Sequence, residues 1–226
     1  MNFLHELTGK YVDIELSGHK YFSGPLLEDG PDILVIHQAQ TDSVYYIPLV
    51  HVQRIGPISD GNEVAPLPTR DHPFRADNET TSFRKVLMHA RGHFVEIYVS
   101  GKTTIHGYLT SVMNDYFVFH SPVYKTIFVN IEHLKWIMPY PDNVIPYALD
   151  AESVPHRTAP TSLPRTFKEL CKRLTGNMVV FDMGDDPNKI GQLKGVDPDI
   201  NLAELYTANG AKQLLNLHHL KTVYLP

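Results

Sequence analysis

Apolar and polar residues alternate in three short runs that share one frame. Gly9 to Gly24 reads G-K-Y-V-D-I-E-L-S-G-H-K-Y-F-S-G, and Gly92 to Gly107 reads G-H-F-V-E-I-Y-V-S-G-K-T-T-I-H-G. Gly176 to Gly191 reads G-N-M-V-V-F-D-M-G-D-D-P-N-K-I-G. In each run two glycines stand fifteen residues apart. Three, five and seven residues after the first glycine come Val12, Ile14 and Leu16; Val95, Ile97 and Val99; Val179, Phe181 and Met183. Period two over this length predicts a half-buried strand. The closing glycine opens a second strand, carrying Leu26, Leu109 or Leu193, and marks a bulge or a bend where two backbones come close.

The frame extends further. An aspartate follows at a common offset, Asp32, Asp115 or Asp199, and in the first two copies it precedes a third strand, I-L-V-I-H or Y-F-V-F-H. The last landmark is a histidine between apolar residues, His51, His133 or His219, with Ile55, Ile137 or Val223 four residues later. Before each first glycine lies an apolar stripe at helical spacing: Phe3, Leu4 and Leu7; Val86, Leu87 and Ala90; Leu170, Cys171 and Leu174. Phe83 and Phe167 add a turn to the later two. Each copy therefore reads as one short helix followed by about five short strands. The third copy is the most diverged, since its third strand, I-N-L-A-E-L-Y, lacks clean alternation.

The first glycines are 83 and 84 residues apart, which divides the 226-residue chain into three units. The predicted boundaries are 1–58, a polar, proline-bearing linker at 59–80, a second unit at 81–139, a proline-rich linker at 140–164, and a third unit at 165–226. Asn78-Glu79-Thr80 is a glycosylation sequon inside the first linker, and without a secretion signal it reads as accidental.

Composition narrows the function. The chain is 42% hydrophobic and 20% charged, with a formal net charge of −5. A protein built to grip a phosphate backbone is more often basic, so charge counts against nucleic acid. The start M-N-F-L-H-E-L has no cationic region, and no apolar run approaches a membrane span, so neither a signal peptide nor a membrane partner is expected. The single cysteine, Cys171, reads as core packing. Thirteen histidines invite a metal reading, but no cysteine–histidine spacing fits zinc, and Asp182, Asp185, Asp186 and Asn188 miss calcium-loop spacing. No phosphate-cradling loop and no nucleophile beside a base is visible. No enzymatic activity, metal or cofactor is expected.

A short helix, five strands carrying V-x-I-x-L, a central glycine and a final apolar-His-apolar strand resemble the Sm-like small barrel. A single unit is similar to the bacterial Sm-like RNA chaperone Hfq, whose last motif resembles F-V-N-I-E-H-L-K-W-I-M-P here. Three units in one chain resemble the spore coat protein B family of Bacillus-type spore formers. That family repeats a pattern like F-x-x-L-x-x-x-x-V-x-I-x-x-G and ends it in x-x-H-[IV]-K-x-I, matching Phe3 to Ile55, Phe83 to Ile137 and Phe167 to Val223. The chain departs from it in lacking a serine- and lysine-rich C-terminal tail and a Gly-Gly-Pro turn.

The resemblance implies a mainly β chain of three tandem Sm-like small β-barrels, each a short helix plus five antiparallel strands. It implies a non-enzymatic structural or scaffold protein of the spore coat, made in the cytoplasm and deposited on the spore. Its partners would be other coat proteins and a second copy of itself, because Sm-like barrels join edge to edge. Three linked units are half of a six-membered ring, so either a cluster within the chain or a dimer completing a ring is expected.

The alternative is an Hfq-like RNA-binding regulator. In RNA-binding rings of this kind the histidine loop lines the pore, which would place His51, His133 and His219 there. The lysine expected just before them is instead Val50, Glu132 or His218, and a pore glutamate repels phosphate. The residues themselves favour a structural turn between the last two strands. Asp32, Asp115 and Asp199 likewise read as turn residues bonding local backbone, although in RNA-binding Sm proteins that loop also touches bases. Aromatics such as Tyr45, Tyr46, Phe117, Phe119 and Trp136 could stack bases, but strand periodicity favours packing.

Overall fold

The structure is a computed structural model, and it describes residues 3–38, 40–58, 73–74, 80–101, 104–141, 144, 146–148 and 162–226. Most of both expected linkers, and Asn78-Glu79 of the sequon, lie outside the described residues.

The first repeat contributes β1 (Tyr11–Leu16), β2 (Lys20–Asp29), β3 (Ile33–Gln38), β4 (Ser43–Pro48) and β5 (Val52–Pro57). The second contributes α1 (Phe83–His89), β6 (Phe94–Tyr98), β7 (Ile105–Val112), β8 (Tyr116–Ser121), β9 (Lys125–Asn130) and β10 (Trp136–Pro139). The third contributes α2 (Phe167–Arg173), β11 (Met178–Phe181), β12 (Ile190–Val196), β13 (Leu202–Tyr206), β14 (Lys212–Asn216) and β15 (Thr222–Tyr224). The helix ahead of β1 is reduced to a single 3-10 turn, His5–Leu7. Every described strand pair is antiparallel.

The chain falls into two compact units, residues 1–100 with 135–144, and residues 101–134 with 145–226. This division cuts across the second repeat. In the first unit the strand order is β5-β1-β2-β3-β4-β10-β6, and in the second it is β7-β8-β9-β15-β11-β12-β13-β14. The expected five-strand barrels are not closed rings in this order. The fourth strand of a repeat pairs with the fifth strand of the next repeat instead of returning to its own. β4 takes β10, with Ile137 opposite Tyr46. β9 takes β15, with Val223 opposite Phe128.

The glycine frame has two separate causes. The first glycines follow the helical turns at positive φ: Gly9 at 82°, Gly92 at 82° and Gly176 at 89°. A side chain there would be strained. The closing glycines lie under a neighbouring strand. A Cβ on Gly24 would sit 2.0 Å from the His37 carbonyl oxygen, on Gly107 2.2 Å from that of His120, and on Gly191 2.1 Å from that of Tyr206. Just beyond each one the second strand shifts register, at Leu26/Glu28, Leu109/Ser111 and Leu193/Gly195. The bulge bends the strand across its partner.

Alternation holds in β1, where Val12, Ile14 and Leu16 are fully buried. It stops early in the third copy. β11 ends at Phe181, and Asp182 and Met183 take positive φ of 49° and 60°. The turn brings the buried Asp182 carboxylate to the N–H groups of Lys221 (2.7 Å) and Thr222 (3.3 Å). Lys189 pairs with its second oxygen. Satisfying these three donors outweighs continuing the strand through Met183.

Each unit has its own core. In the first, Trp136 from β10 stacks on Tyr98 at 4.2 Å and meets the Phe22 ring edge-on at 5.1 Å. Phe74, inside the stretch expected to be linker, is fully buried, and its N–H donates to the Tyr46 hydroxyl at 3.1 Å. In the second unit, Phe167, Leu170 and Cys171 of α2 pack with Tyr116, Phe128 and Val223. Burial, with Asp115 nearby, pushes the Cys171 thiol up to about 12, the behaviour of an inert core cysteine. Tyr45, Tyr46, Phe117, Phe119, Phe128 and Trp136 are all buried.

Candidate functional site

Two loops of every repeat carry the residues singled out by the sequence. One joins the second and third strands and holds the aspartate. The other is a one-turn 3-10 helix between the fourth and fifth strands, Leu49–His51, Ile131–His133 or Leu217–His219, and the histidine is its last residue.

The aspartates reach beyond their own turns. Asp32 Oδ1 accepts the N–H of Phe83 at 2.8 Å, and Asp115 Oδ1 accepts that of Phe167 at 2.7 Å. Each acceptor thus holds the first residue of the following repeat's helix. Ser82 and Thr166 cap the same helices, accepting from Lys85 N–H at 3.4 Å and Glu169 N–H at 3.3 Å. The aspartate backbone carbonyls accept from the first residue of the 3-10 turn, Leu49 and Ile131, at 2.9 Å.

In the third repeat the corresponding carbonyl belongs to Asn201, which accepts from Leu217 N–H at 3.0 Å. Asp199 lies two residues earlier in an exposed turn, where its own N–H donates to the Asp197 carboxylate at 2.9 Å. An inserted turn in the third copy displaces the aspartate from the shared position. The Asn201 side-chain amide donates to His218 Nε2 at 3.2 Å.

The histidines do not converge on one point. His133 Nε2 donates to the His218 carbonyl at 2.8 Å, joining the two histidine-bearing 3-10 turns of the second unit. The His51 carbonyl accepts from Ser17 N–H at 2.9 Å. His219 is exposed. His218 and His219 sit in the 3-10 turn, not on a strand. Among the described residues, no three His, Cys, Asp or Glu side chains gather as a metal would require.

The sequence did not flag Asn130 and Asn216. Each begins its 3-10 turn by accepting an N–H two residues on, from Glu132 at 3.1 Å and from His218 at 3.0 Å. Asn130 also donates to the Leu220 carbonyl at 3.3 Å. An asparagine three residues before the aligned histidine in both copies was the available signal.

A cleft of about 340 Å³ in the second unit is lined by Asp115, Asn130, Glu132, Asn201 and His218, among others. It holds two carboxylates, and one of them already accepts the Phe167 N–H. Lys168 is the one lysine of the lining, so the two carboxylates outnumber it, and the cleft offers hydrogen bonds without the cationic excess that suits phosphate.

The other feature is strand edge. β4 and β9 are buried over their last four residues, each beneath a fifth strand of the next repeat. β14 alternates between exposed and half-buried, and β13 is its described partner. β5 is half open, with β1 as its described partner.

Repeated strand-to-strand junctions define a mainly β repeat protein. Along its whole length the chain is 38% identical, over 229 residues, to the uncharacterized protein YwrJ of Bacillus subtilis (strain 168), which is covered completely as well. The chain belongs to the YwrJ family. Residues 166–223, the third repeat, match the family described as the YwrJ third domain.

Proposed function

We propose that this chain is a non-enzymatic scaffold protein of three tandem Sm-like modules, acting by assembly with other protein chains in the spore coat. The observation that carries the reading is the junction of β4 with β10 and of β9 with β15. The chain uses backbone edges to join module to module, and the same chemistry can recruit further strands. The aspartate contacts serve the same end, because Asp32 and Asp115 fasten one repeat's loop to the next repeat's helix. The coat setting rests on the sequence resemblance alone.

RNA binding is the competing reading. Glu132 beside His133, and Asp115 in the same cleft, speak against it. A low-salt titration with short A-rich and U-rich RNA tests this. No binding tighter than micromolar is expected. Tighter binding that is lost on replacing His51 and His133 would replace the scaffold reading with an RNA chaperone.

A further inference from the structure

We infer that the outer edges of β14 and β5 are the two halves of one self-assembly interface, filled by a second copy of this chain. The inference rests on the scaffold reading and gives it a partner and a register.

The two internal junctions share one geometry. In each, the residue four after the 3-10 histidine on the fifth strand faces the residue three before the start of the preceding repeat's 3-10 turn. Ile137 faces Tyr46, and Val223 faces Phe128. By the same count the open positions are Ile55 on β5 and Leu214 on β14. Tyr46 and Phe128 are 0% and 8% exposed, whereas Leu214 is 57% exposed. Among the described residues, a large aliphatic side chain therefore stands exposed on the one fourth strand that has no fifth strand beside it.

The edges are also chemically compatible. Pro57 removes a donor near the end of β5, yet β10 carries Pro139 at the same place and still pairs with β4. β14 carries a single charge, Lys212, already paired with Glu204 at 3.1 Å. A weakly charged edge invites pairing. Because the β14 and β5 surfaces differ, the contact is head-to-tail.

The register extends to neighbouring positions. Tyr224 faces Ile127, so Gly56 should face Gln213. A Cβ added at Gly56 meets nothing within 4 Å, so a cysteine fits there. Cys171 is buried and does not compete.

The test mixes full-length Gly56→Cys with tagged full-length Gln213→Cys, followed by oxidation or a short thiol cross-linker. Opposed residues on paired strands have Cβ atoms about 5 Å apart. A cross-linked heterodimer should form, should be lost when Leu214→Asp is added, and should not form when Met178→Cys on β11 replaces Gln213→Cys. Self-association without the 56–213 cross-link would overturn this interface and leave the scaffold reading standing. A monomer at every concentration would overturn the interface and remove self-assembly from the scaffold reading. RNA binding in the titration above would sink that reading independently.

Discussion

Asp115 Oδ1 lies 2.7 Å from the backbone nitrogen of Phe167, 52 residues further along the chain. Asp32 and Phe83 repeat the relationship at 2.8 Å across 51 residues. A loop of one repeat thereby holds the start of the next repeat's helix, and a carboxylate suits that position because free N–H groups and the helix dipole both favour negative charge.

Removing this clasp should be measurable. Asp115→Ala and Asp32→Ala should each lose about 1–2 kcal/mol in urea unfolding. Asp115→Asn should lose less, since the amide oxygen still accepts. Asp199→Ala should stay within about 0.5 kcal/mol of the native chain, because Asp199 makes no such contact. Equal losses at all three aspartates would contradict the assignment of the clasp.

Two glycines of second strands, Gly107 and Gly195, make a sharper contrast. Gly107→Ala drives a methyl against the His120 carbonyl and should cost roughly 3 kcal/mol. Gly195→Ala meets nothing within 4 Å and should cost less than about 1 kcal/mol. Thermal melts of the two variants decide it.

The junction of β4 with β10 is packed as core. Trp136→Ala removes the ring that stacks on Tyr98 and meets Phe22, and should cost about 3–5 kcal/mol. A loss under about 1 kcal/mol would mean that the junction contributes little stability.

Alkaline pH should weaken the second unit. Burial raises Cys171 and Tyr116 each to about 12, and the Tyr116 hydroxyl donates to the Pro164 carbonyl at 2.6 Å. Both groups ionise first in the unfolded chain, so their contribution is full below the thiol's ordinary value of 9.0 and is lost as pH rises toward 12. Cys171→Ala should flatten the fall in melting temperature above that pH. In the native chain, Cys171 should resist thiol reagents at neutral pH and react only on unfolding.

Much of this architecture is visible in the sequence because it is written in local rules. Alternation placed β1, the paired glycines marked a left-handed turn and a strand crossing, and the helical stripes located α1 and α2. What stayed hidden is non-local. Nothing in the β4 pattern says that its neighbour is β10, 91 residues further on by the Tyr46–Ile137 pair. The Asp32 side chain reads as local turn chemistry, yet its partner is in the next repeat. Asp199 kept the spacing but not the structural place, because the third copy's turn is longer and Asn201 took that place. Met183 kept the alternation but not the strand, because Asp182 serves the N–H groups of Lys221 and Thr222.

Mass in solution is the most direct measure of the central claim, that this chain assembles through strand edges. Sedimentation equilibrium from sub-micromolar to high micromolar protein should show mass rising above the 25.6 kDa of one chain. Leu214→Asp should hold it at one chain while leaving the circular dichroism spectrum unchanged. A native chain that stays at 25.6 kDa throughout, or a Leu214→Asp variant that assembles as well as the native chain, would contradict the account.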